Sequence, residues 1–193
     1  MEGIPTLALD YIEPKRSIAT TRSFENTYSD LENIKERIST FASSCAEKLR
    51  KQRSSCHAII VLLNSDSHKK DQPQHHTSRM ISLPYPTDSS LILSNCAVKA
   101  IASIFKEGIK YKRAGVIVTG LVPNDNYQLD LFQHENPKHK PLMHAIDALN
   151  EKYETYKIKL GNQDLKRTWK MRQKHLSPRY TTNINEIITV KCH

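Results

Sequence analysis

Seven residues in the first half of the chain, His57-Ala-Ile-Ile-Val-Leu-Leu63, form a run too short and too uniformly apolar for a surface helix. Such a run predicts a buried central strand, and it is the strongest constraint on how these 193 residues fold. Its surroundings supply the rest of a sheet. Ile18 to Phe24 (IATTRSF) is rich in strand-forming types, and Thr77 to Pro84 (TSRMISLP) alternates as a half-buried strand does. Arg113 to Thr119 (RAGVIVT) is a fourth strand, and the polar stretch 64–76 (NSDSHKKDQPQHH) is a loop.

Two helices alternate with these strands. Ser29-Asp30-Leu31-Glu32 is a capping box, with a hydroxyl and a carboxylate placed to satisfy free N–H groups at a helix start. Leu31, Ile34, Ile38, Phe41, Ala42, Cys45 and Leu49 then define one apolar face. The helix so defined is about six turns long. Its wet face carries Lys35, Arg37, Lys48, Arg50, Lys51 and Arg53. Ser89 or Ser90 caps a second helix with Leu91, Ile92, Ala97, Val98, Ile101, Ile104 and Phe105 as its buried stripe, ended by Gly108. The order β-α-β-β-α-β predicts an α+β fold, a four-stranded antiparallel sheet with both helices on one face. The other face is left open. Fold alone does not choose between DNA, RNA and protein as its visitor.

Charge narrows the choice. The chain has 29 Lys and Arg against 20 Asp and Glu, and the excess is shared between residues 1–124 and 125–193. A basic balance throughout favours an acidic partner such as nucleic acid, the alternative being a merely soluble basic protein. Five scattered glycines make no phosphate cradle or dinucleotide fingerprint. Cys45, Cys56, Cys96 and Cys192 include no C-x-x-C pair and read as reduced thiols. His68, His75 and His76 share one loop and Cys192-His193 ends the chain, yet no spacing matches a metal-ligand set. There is no apolar run of membrane-spanning length and no signal-peptide pattern in MEGIPTLALD, so a soluble cytoplasmic chain is expected.

Residues 121–141 (LVPNDNYQLDLFQHENPKHKP) break the pattern. Pro141 then opens a third helix with Leu142, Ile146, Leu149 and Tyr153 on one side. Tyr156 to Leu160 alternates like a short strand, and residues 165–176 read as a basic helix around Trp169 and Met171. The stretch SPRYTTNINEIITVK adds a turn and a short strand.

Several of these stretches resemble the C-terminal part of UmuC-type Y-family translesion DNA polymerases. PKRSIATTRSF (14–24) is similar to the entry into that family's little-finger domain, and YKRAGVIVTGL (111–121) to its last strand. QLDLF (128–132), LMHAIDALNEKY (142–153), W-K-M (169–171) and LSPRYTT (176–182) follow in the family's order. Glu25 departs from it, since glycine usually follows R-S-F there. The resemblance implies an extended linker from a missing thumb at 1–19 and a little-finger domain at 20–122. A clamp-binding tether at 123–140 and a small C-terminal domain at 141–193 complete the division. It further implies an SOS DNA-repair polymerase whose Mg2+-binding palm carboxylates are not in this chain. No cofactor is expected here, and no polymerase activity of its own.

Carried onto matching positions, the resemblance makes Thr21, Arg22 and Ser23 backbone contacts to a template–primer duplex. Thr77, Ser78 and Arg79 join them, as do Lys110, Lys112 and Arg113. Hydroxyls and cations suit phosphates without reading sequence; the plainer alternative is solvated charge at strand edges. Gln128-Leu129-Asp130-Leu131-Phe132 resembles the motif that binds the bacterial β sliding clamp, where the glutamine amide meets the rim and Leu131 and Phe132 fill an apolar pocket. The alternative is a short buried strand. Lys166, Arg167, Lys170, Arg172 and Lys174 surround Trp169, which reads as a core anchor, and UmuD′ or the recombinase filament are candidate partners of this tail. Two rivals stand beside this reading. One is an independent nucleic-acid module, which for RNA would want interleaved aromatics that no strand shows. The other is a truncated competitor for the clamp.

Overall fold

The structure, a computed structural model, describes residues 13–69, 71–124, 136–153, 157–163 and 177–187. Strands β1 (Ser17–Tyr28), β2 (Ser54–Ser65), β3 (His76–Thr87) and β4 (Tyr111–Pro123) form one sheet in the order β1-β4-β2-β3, every neighbour antiparallel. The apolar run of β2 is therefore central, between β4 and β3. Helices α1 (Leu31–Lys51) and α2 (Ser90–Ile104) pack on one face and on each other. They enclose Ile34, Ile38, Phe41, Leu49, Ile59, Val61, Leu63, Leu93, Ile101 and Val116. Each strand outruns its apolar signal, because backbone groups stay paired past the last buried side chain.

Local details differ from the sequence expectations. The cap of α1 is Asp30 alone: its carboxylate accepts from the Asn33 backbone N–H at 3.0 Å, and Glu32 pairs with Lys35 at 2.6 Å instead of closing a box. Two cations expected on the wet face are not there. Arg37 is 2% exposed, its guanidinium 3.9 Å from the Tyr28 ring centroid and 5.5 Å from that of Phe24. Aromatic faces at the end of β1 replace water around that charge, and Nη1 donates to the Asn33 carbonyl at 2.6 Å. Arg50 is drawn inward by Asp147. The buried stripe of α2 is Ser90, Leu93, Ser94, Ala97, Ala100 and Ile101. Leu91, Ile92 and Val98 are only half-buried, because the helix must present both to α1 and to the sheet. It ends at Ile104, before Gly108, whose positive φ of 79° serves the turn into β4.

Helix α3 (His139–Lys152) starts two residues before Pro141, which sits in the first turn where a missing N–H costs nothing. Its buried side is not Leu142, Leu149 and Tyr153, which are 44%, 40% and 53% exposed, but Met143. His139, Met143 and Asp147 are spaced by four and so form the stripe that docks. Polar partners chose the face: Arg50 grips Asp147 through Nε and Nη2 at 2.6 and 2.7 Å. Residues 157–160 form no strand; the Asn150 amide ties down Ile158 through its N–H and carbonyl. Residues 177–187 make turns and a 3-10 turn at Ile184–Glu186, where Glu186 pairs with Arg179. The expected basic helix 165–176 with Trp169, and the final short strand beyond residue 187, lie outside the described residues.

Candidate nucleic-acid interface

Strand register decides which side chains share the open face, since paired residues in an antiparallel ladder point the same way. On β1, Ile18 and Phe24 are buried under the helices and Thr20 Oγ1 accepts from Lys48 of α1 at 3.1 Å. Ser17, Ala19, Thr21 and Ser23 therefore point outward. Four rows then cross the sheet from β1 through β4 and β2 to β3. The first is Ser23-Arg113-Asn64-His76 and the second Thr21-Gly115-Leu62-Ser78. The third is Ala19-Ile117-Ile60-Met80 and the fourth Ser17-Thr119-Ala58-Ser82.

The chemistry of this grid is distinctive. Hydroxyls line both edge strands, a guanidinium, an amide and an imidazole close one end, and an apolar band crosses the middle, with Met80 61% exposed. No Phe, Tyr or Trp stands on it. Near its centre Gly115 is buried, the Thr21 side chain filling the space a Cβ would take. The face is thus shallow, free of stacking platforms and polar at its margins.

Of the residues expected to touch DNA, the register brings Thr21, Ser23, Ser78 and Arg113 onto this face. Arg22, Thr77 and Arg79 point the other way, opposite Ala114, Leu63 and Val61, which are buried on the helix side. Arg22 and Arg79 are nonetheless exposed, because β1 and β3 are the two edges of the sheet. Lys112 Nζ donates to the Glu25 carbonyl at 2.8 Å, at the irregularity in β1 between Ser23 and Tyr28. Lys110 is exposed just ahead of β4. Asn64 and His76 were missed by sequence reasoning, which had placed both in a loop; carrying the two-residue alternation outward from Leu62 and from Ser78 finds them. Gln128, Leu129, Asp130, Leu131 and Phe132 lie outside the described residues.

Two groups with displaced titration, His75 and Tyr111, lie beside the polar end. His75 Nδ1 is 2.9 Å from Tyr111 Oη, which also accepts from the Lys106 N–H at 3.0 Å. Burial, then the charge of Lys106, holds His75 below its ordinary value, and burial pushes Tyr111 up. A histidine favoured in its neutral form stabilises the fold above its unfolded pKa of about 6.5, and that stability is lost as pH falls from there through the lower native value. We expect acidification from pH 7.5 to 5.5 to lower the urea midpoint of the parent more than that of His75→Gln. Burial pushes the Cys56 thiol up to about 12 and raises Cys45 and Cys96, so none of these three is a poised nucleophile. Among the described residues no three His, Cys, Asp or Glu side chains group as metal ligands, and no helix is long and apolar enough to cross a membrane.

Residues 15–131 match the impB/mucB/samB family C-terminal domain, and residues 140–190 match a domain of unknown function, DUF4113. Protein UmuC of Salmonella typhimurium strain LT2 is 30% identical over 99% of this chain and 46% of its own length. Protein ImpB of Salmonella typhimurium is 26% identical over 97% of this chain and 45% of its own. The chain thus spans about half the length of these curated relatives. Among solved structures, the insertion ternary complex of Dbh DNA polymerase aligns with 60% of this chain and 32% of its own, at 13% identity and a TM-score of 0.47.

Proposed function

We propose, from the premise that this chain belongs to the impB/mucB/samB family, that it grips a template–primer duplex with its sheet and the bacterial sliding clamp with residues 128–132. In this reading it is the C-terminal portion of a UmuC-like translesion DNA polymerase of the SOS response, the metal-binding palm being supplied elsewhere. It contributes hold and position to the polymerase, and no chemistry.

The observation that carries the duplex reading is the open-face grid. Four antiparallel strands span about 15 Å between the outer two, close to the ~12 Å width of a major groove. A sheet laid across the groove sets the hydroxyls of Ser17, Thr21 and Ser23 over one phosphate ridge and those of Ser78 and Ser82 over the other. The apolar band then overlies the groove without donors or acceptors, which suits a protein that must accept any sequence. Arg22 and Arg79 flank the two edges, where long side chains reach the backbone from outside the face. The absence of aromatics on the grid counts against single-stranded RNA, whose bases want stacking surfaces. In the same reading UmuD′ or the recombinase filament would meet the exposed Leu142, Leu149 and Tyr153 side of α3.

Fluorescence anisotropy with a labelled template–primer duplex, titrated with salt, tests this reading. The logarithm of affinity should fall linearly with the logarithm of salt concentration, and Arg22→Ala or Arg79→Ala should each flatten that slope by about one. Equal slopes in parent and variants would remove the edge arginines from the interface.

A further inference from the structure

Two histidines follow one another where the chain enters β3, and the sheet sends them opposite ways. His75 turns inward, its Nδ1 2.9 Å from the hydroxyl of the buried Tyr111. Its backbone is held on both sides by Ser65: Oγ accepts from the His75 N–H at 2.9 Å, and the Ser65 N–H donates to the His75 carbonyl at 3.0 Å. The residue before it is tied as well, since Gln74 Nε2 reaches the carbonyl oxygens of Asp66, Lys69 and Gln72 at 3.1, 2.8 and 3.1 Å. Strand alternation from this anchored start puts His76 on the open face. There it pairs with Asn64, heads the line His76, Ser78, Met80, Ser82 along β3, and ends the row that begins with Ser23 and Arg113. Its imidazole is exposed at a place the two preceding residues fix.

We propose, resting on the duplex reading above, that His76 is a further phosphate contact and that its proton sets its strength, so that the sheet takes up a proton as it binds. In that reading Ser78 and Ser82 lie over one phosphate ridge, and His76 is the member of the same line able to gain a charge. Histidine changes charge between about pH 5 and 8. An imidazolium donates from both ring nitrogens, and a phosphate beside it favours the charged form. Linkage is reciprocal: if the phosphate favours the proton, the protonated chain binds the phosphate more tightly. Among the described residues, the charged and titratable groups at this end are Arg113 of β4, Lys106 and Lys110 ahead of β4, His75 on the inner side, and Asp66, His68, Lys69 and Asp71 of the preceding loop. No carboxylate stands in the row Ser23-Arg113-Asn64-His76, so the incoming phosphate is the anion that the row itself lacks. The contribution is full at low pH and fades as pH rises.

Fluorescence anisotropy with a labelled template–primer duplex, run on the full chain in 0.15 M salt at pH 8.0 and at pH 6.0, tests this. The parent should bind about fivefold more tightly at pH 6.0 than at pH 8.0. His76→Gln keeps a polar side chain that cannot gain the charge, and most of that fivefold gain should vanish. His76→Lys carries a permanent cation and should bind at pH 8.0 as tightly as the parent does at pH 6.0. The side chain is exposed, so neither variant disturbs the core. Equal pH dependence in the parent and His76→Gln, or an affinity of His76→Lys at pH 8.0 no greater than that of His76→Gln, overturns the proposal and leaves the duplex reading standing. A parent that binds the duplex at neither pH overturns both.

Discussion

The Leu131→Ala/Phe132→Ala double variant should lose at least about 100-fold in affinity for the bacterial sliding clamp, with duplex affinity and melting temperature unchanged. A five-residue contact has little area over which to spread its binding energy, so the two large apolar side chains must supply most of it, each at the ~2 kcal/mol or more typical of interface anchors. Isothermal calorimetry on parent and variant reads the loss. The competing account, in which Leu129 and Leu131 are interior residues of a short strand, makes the opposite prediction. Truncating buried Leu and Phe would cost several kcal/mol of stability, seen as a drop in urea midpoint, with clamp binding absent from parent and variant alike.

A second large effect is expected at Gly115. It lies on a central strand, paired on one side with Thr21 and on the other with Leu62. An added Cβ meets Thr21 Cγ2 at 2.4 Å, Cβ at 2.8 Å and Cα at 2.9 Å. A side-chain methyl can rotate aside; the Thr21 backbone is fixed by the β1–β4 ladder and cannot. Gly115→Ala should therefore cost about 1–3 kcal/mol by overpacking, measured by urea unfolding. Duplex binding should weaken as well, because the pair Thr21-Gly115 stands in the middle of the proposed contact. Loss of stability with full duplex affinity would separate the glycine's structural role from any role in binding.

The fold was legible because its signals are periodic. The apolar run 57–63, the three- and four-residue steps from Ile34 to Leu49, and the alternation from Thr77 placed the central strand, a helix and an outer strand where they stand. Orientation was less legible. Nothing in Arg37 itself announces burial; only the tertiary approach of Tyr28 and Phe24 creates the slot it fills. Helix α3 shows the same limit more sharply. Its apolar stripe Leu142, Ile146, Leu149 and Tyr153 predicted the buried side, yet only Ile146 of these is half-buried, and an ion pair between Arg50 and Asp147, 97 residues apart, ties the helix down by its polar stripe. At the proposed interface, the family resemblance pointed to Arg22 and Arg79, while register, fixed by pairing with distant strands, put them at the edges and put Asn64 and His76 on the face.

The central claim is that one chain holds duplex and clamp together. The direct test is the affinity of the full chain for a sliding clamp loaded on a template–primer duplex, set beside its affinity for clamp alone and for duplex alone under the same salt. Two linked sites within reach of one another should bind the loaded duplex on the order of 100-fold more tightly than the better single partner, and the gain should vanish in the Leu131→Ala/Phe132→Ala variant. An affinity for the loaded duplex no greater than for the better partner alone would contradict the account.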